Sequence, residues 1–74
     1  MTRMPRITGK KIVAALNRAG FTVVRVTGSH HHVHKPGNKL VTVPVHAGET
    51  LSPILLKSIL EQAGLTVEEL IELL

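Results

Sequence analysis

A 74-residue chain without cysteine and 43% hydrophobic is one globular domain with a modest core, worth roughly 3–5 kcal/mol, and it excludes disulfide staples and thiolate metal sites. Its charge is divided: residues 1–39 hold eight Lys/Arg and no acid, while residues 40–74 hold Lys57 and all five glutamates, so +8 stands against −4 in a net charge of +4. One-sided basic charge is the electrostatic footprint of a phosphate-backbone binder. With no apolar run long enough for a membrane span or a secretory signal, the expected location is cytoplasmic.

The chain opens with a basic extension, residues 1–6, ahead of a single domain. Thr8 is a helix N-cap, Ile12, Ala15, Leu16 and Ala19 recur at helical spacing, and Gly20 closes the segment, which predicts a helix over 8–19. Residues 21–27, Phe-Thr-Val-Val-Arg-Val-Thr, are rich in β-branched side chains and predict a strand. Gly28-Ser29 breaks the run, and residues 30–35 form a second strand. Pro36-Gly37-Asn38 is a turn and residues 40–45 a third strand, with Pro44 placed at an edge or an end because it cannot donate to a ladder. After a loop at 46–50, Ser52 caps a second helix with Pro53 in its first position and Leu51 stapled to Leu56. Ile54, Leu55, Ile59, Leu60 and Ala63 supply its apolar face, and Gly64 ends it. Thr66-Val67-Glu68-Glu69 is a capping box for a short last helix.

The order α-β-β-β-α, plus that short helix, is an α+β fold. Its economical form is a three-stranded antiparallel sheet with both long helices on one face. A double-stranded-RNA-binding domain has the same order, and order alone does not establish function.

Four of the five histidines fall within residues 30–34. The Gly-Ser-His run resembles a purification tag, but it lies inside a patterned domain and is interrupted by Val33. Histidine exchanges its proton in the neutral range, so such a cluster points to proton transfer or metal binding. Strand periodicity puts His30, His32 and His34 on one face and His31 on the other with Val33. If Val33 faces the helices, His31 lies at the sheltered end of the core face, and the other three share the open face with Arg25 or Lys39 nearby.

Three uses of the cluster compete. In the first, one histidine transfers a proton in RNA cleavage while lysines and arginines grip phosphates; RNA brings its own nucleophile, so no metal is needed. In the second, His30 and His32, with His34 or His46, bind zinc or nickel, although the sole nearby carboxylate is Glu49. In the third, the histidines are a solvated basic strand of a binding module without chemistry. Phe21 is the one aromatic residue and belongs in the core, so base stacking on exposed aromatics is not available. Contacts with nucleic acid therefore run through phosphates and hydroxyls. The chain has no Ser-His-Asp set, no phosphate-cradling glycine loop and no aspartate at all.

Gly28-Ser29-His30-His31 after a Val/Arg-rich strand is followed by Lys35-Pro36-Gly37, by Val41-Thr42-Val43-Pro44-Val45-His46, by Leu51-Ser52-Pro53 and by residues 56–65, LKSILEQAGL. In this order the motifs resemble the HicA (YcfA-like) family of toxins from Ile7 to Leu74. The resemblance implies a metal-independent mRNA interferase with a double-stranded-RNA-binding-domain-like fold, held in check by a HicB-type antitoxin. It implies that the catalytic histidine is His31 first and His30 second, and no cofactor. His46 and Lys35 are supporting groups, and the RNA contacts fall to Lys10, Lys11, Arg25, Ser29, Lys35 and Lys39. The alternative is a non-catalytic basic RNA-binding module of the same fold.

Overall fold

Local chemistry sets the helix ends. In the computed structural model, which describes residues 3–74, α1 spans Gly9–Arg18, with Thr8 extended as its N-cap and its hydroxyl accepting from the Lys11 amide. Gly20 takes φ +101° just past the end, and the Phe21 amide reaches back to the Leu16 carbonyl at 2.9 Å. That pairing closes the helix in a Schellman turn. It also plants Phe21 beside Leu16, both of them buried. The second long helix, α2 (Pro53–Ala63), starts on Ser52 with Pro53 inside it and ends on left-handed Gly64. The short α3 (Val67–Leu73) carries the capping box expected of Thr66 and Glu69.

Between α1 and α2 run three antiparallel strands in the order β1 (Thr22–Thr27), β2 (His30–His34) and β3 (Val41–Pro44). The sheet is therefore a meander with β2 in the centre. Val33, Val41 and Val43 project from one face into a core completed by Ile7, Ile12, Leu16, Leu56, Ile59, Leu60 and Leu70. This is the α+β, double-stranded-RNA-binding-domain-like arrangement that the element order implies. Part of the N-terminal extension joins it, since Met4 packs against the core, while Met1 and Thr2 lie outside the described residues. No helix among the described residues is long and apolar enough to cross a membrane.

One strand departs from the sequence pattern. Every residue of β1 is exposed, despite its β-branched run. The buried strand residues, Val33, Val41 and Val43, belong to β2 and β3, and β1 is an edge strand that α1 approaches without burying it. The pairing of β1 with β2 also slips between Val23 and Arg25, a bulge that sharpens the local twist.

Three backbone contacts lock the end of the sheet where the histidines begin. A Cβ placed on Gly9 would fall on the Pro44 carbonyl oxygen, so α1 can approach β3 this closely only through glycine. The Val45 amide donates to the Ser29 carbonyl at 2.7 Å, and the Leu51 amide to the Ile7 carbonyl at 2.8 Å.

Candidate active site

The β1–β2 connection has only two residues between the paired Thr27 and His30. Gly28, first of the two, has φ +58°, and no residue other than glycine has a positive φ among those described. That is the pattern of a type II′ hairpin turn, whose first position calls for glycine. A turn this short fixes the register of everything after it. His30 pairs with Thr27 and Pro44, His31 with Val26 and Val43, and His32 with Arg25 and Thr42. The irregularity of the sheet lies in β1, so β2 alternates without interruption from His30 to His34.

Alternation then separates the histidines. Val33 and its β3 partner Val41 are buried on the helix side, and His31 shares that side, next to buried Val43. His30, His32 and His34 occupy the open side with Arg25. His32 is anchored there, its Nδ1 lying 2.9 Å from the Thr42 hydroxyl. His31 is half-buried, and its Nδ1 is fully enclosed with no hydrogen-bond partner. Among the described residues it is the buried side-chain polar atom left in that condition. An orphaned buried nitrogen costs about 1–3 kcal/mol, and a catalytic role is one of the explanations such a cost admits. With Nδ1 enclosed, Nε2 is the nitrogen that a substrate can reach.

The neighbourhood of this turn is drawn from four parts of the chain. The Val45 amide ties the loop after β3 to Ser29. That loop brings His46 to a cleft of about 280 Å³ shared with Pro44, Glu49, Ser52 and Leu55, and Pro44 is the cross-strand partner of His30. The first turn of α1 packs on the same Pro44 through Gly9 and carries Lys10 and Lys11, both exposed. Lys11 borders a second cleft of about 260 Å³, with Arg18 and Leu74. Arg18 is committed there to the Leu73 carbonyl, at 2.7 Å, and so fastens α3 onto α1.

The remaining basic candidates lie elsewhere. Lys35 sits just past the far end of β2, its Nζ over the Phe21 ring at 5.8 Å from the centroid, against Gly20. At the rise of a strand, His31 and Lys35 are separated by about 13 Å. Lys39 is exposed in the β2–β3 connection, and Arg25 on the open face of β1. The structure thus brings Ser29, His30 and His31 to one end of the sheet, where the Val45–Ser29 bond ties the loop that carries His46, and leaves Lys35 and Lys39 at the other; Lys11 borders the separate cleft beside α3. Among the described residues no group of three His or Glu side chains could hold a metal ion. Thr42 and Gly9 escaped the sequence reading; centring the β2–β3 hairpin on Gly37 pairs His32 with Thr42 and would have found the first.

A sequence profile for the HicA toxin of bacterial toxin-antitoxin systems matches residues 9–65, which covers α1, the whole sheet and α2. No curated protein matches the chain.

Proposed function

The chain belongs to the HicA toxin family, and from that premise we propose that it is an endoribonuclease that cleaves mRNA without a metal and is neutralised by a HicB-type antitoxin. The observation that carries the nuclease reading is the state of His31: half-buried, on the helix side of β2, with Nδ1 enclosed and unpartnered. In this reading Nε2 takes the proton from a ribose 2′-hydroxyl. The freed oxygen attacks the adjacent phosphorus, the bond to the 5′-oxygen breaks, and that oxygen leaves with a proton returned to it. The products are a 2′,3′-cyclic phosphate and a 5′-hydroxyl end. Such proton transfer contributes about 10²–10⁴ in rate.

In this reading charge on the attacked phosphate is stabilised by the exposed Lys10 and Lys11 of the first turn of α1, with Ser29 as a hydroxyl donor. His30 and His46 flank the turn. Arg25, Lys35 and Lys39 hold phosphates further along the RNA. Contacts of this kind carry little sequence information.

The test is cleavage of an mRNA by the purified protein in EDTA, with analysis of the new ends. Cyclic phosphate and 5′-hydroxyl ends are the expected result. Salt-sensitive RNA binding with no cleavage by folded protein would instead favour a non-catalytic RNA-binding module.

A further inference from the structure

The exposed edge of the sheet lends Arg25 to the RNA backbone in that reading, but its valines have no part in the chemistry just described. Among the described residues β1 pairs with one strand, β2, and no strand pairs with its other side. Val23, Val24 and Val26 are 40%, 58% and 54% exposed, an unusual run of aliphatic surface on a strand of six residues. In an antiparallel ladder, residues alternate between pairs that exchange hydrogen bonds and pairs that do not. Thr27 and His30 close the two-residue turn as a bonded pair, so Val26, opposite His31, directs its amide and carbonyl outward. An edge that combines free backbone groups with apolar side chains is a template for another strand.

We propose that this edge is where the antitoxin docks, by adding an extended segment alongside Thr22–Thr27; the proposal rests on the toxin family reading. Charge identifies the occupant. β1 carries Arg25 and no acid, within an N-terminal half of +8, so the matching strand is aliphatic on the side of Val23 and Val26 and acidic on the side of Arg25. A second copy of this chain fits poorly. Two β1 edges paired about a two-fold axis would bring Arg25 towards its own copy, and like charges across a ladder repel. The bulge at Val24 and the charge of Arg25 discourage indiscriminate pairing.

Position explains what such docking would do. The added strand would lie two strand spacings from β2, about 10 Å, with its side chains beside Val26. Val26 is the cross-strand neighbour of His31. The partner's aliphatic side chains would therefore extend the surface next to the imidazole and close the approach of RNA from that side.

Amide hydrogen exchange of β1, in the free protein and in complex with a HicB-type antitoxin, tests this. The amide of Val26 should exchange readily in the free chain and slow at least tenfold in the complex. Val23→Thr and Val24→Glu should each weaken antitoxin binding at least tenfold and leave RNA cleavage by the free protein within twofold. Unchanged exchange in β1 on complex formation would overturn the proposal. So would slowing that appears with concentration in the chain alone, which would assign the edge to a second copy. A protein that binds antitoxin through β1 but cuts no RNA would remove the nuclease reading and leave the docking surface standing.

Discussion

Gly9→Ala is expected to destabilise the protein, against the sign of helix propensity. Gly9 is the first residue of α1, where alanine would ordinarily gain up to about 1 kcal/mol over glycine. Here the new methyl falls on the Pro44 carbonyl oxygen, with the Pro44 carbonyl carbon and Val45 Cα at 3.1 Å. All three are backbone atoms, so no side chain can rotate aside; α1 and β3 must separate. Overpacking costs about 1–3 kcal/mol, and a clash with backbone alone belongs at the upper end, about 2–3 kcal/mol, which leaves a net loss of about 1–2 kcal/mol after the propensity gain. With a urea slope near 1 kcal/mol/M for a small domain, the midpoint should fall by about 1–2 M at constant slope. The same displacement pulls on Val45, whose amide holds Ser29 at 2.7 Å, so cleavage should fall as well. A midpoint equal to or above that of the wild type would refute the steric argument.

Three further outcomes follow from particular contacts. His31→Leu should raise stability by about 1 kcal/mol in urea denaturation, because it removes an enclosed nitrogen without a partner; a loss of stability would mean that the ring is satisfied. Asn38→Ala should cost about 1 kcal/mol, since the Asn38 amide holds the Ala63 carbonyl at the end of α2, at 3.0 Å, and thermal melts will show whether it does. RNA affinity should fall steeply with salt, with a log–log slope of about −0.7 per phosphate contacted. Lys10→Ala should flatten that slope by about one such unit in binding titrations.

What the sequence disclosed and what it withheld divide along physical lines. Helix boundaries depend on neighbours a few residues apart, so Thr8, Ser52-Pro53, Gly64 and the Thr66–Glu69 box announced α1, α2 and α3 directly. The separation of His31 from His30, His32 and His34 needed only the two-residue period of a strand. The bareness of β1 was hidden, because it depends on how far the helices reach across the sheet, and nothing in Val23-Val24-Arg25 marks a bulge. Likewise nothing in the sequence marked the bond that ties Val45, next to His46, to Ser29 of the turn. Lys35 is close to the cluster in sequence and yet lies at the other end of the strand, over Phe21.

The central claim is that His31 performs the chemistry, and the measurement that tests it most directly is RNA cleavage by His31→Ala and His30→Ala beside the wild type, all three shown to be folded by circular dichroism. The account predicts a loss of at least a hundredfold for His31→Ala and a much smaller effect for His30→Ala, which faces the open side of the sheet. Cleavage that survives His31→Ala at the wild-type rate would contradict it.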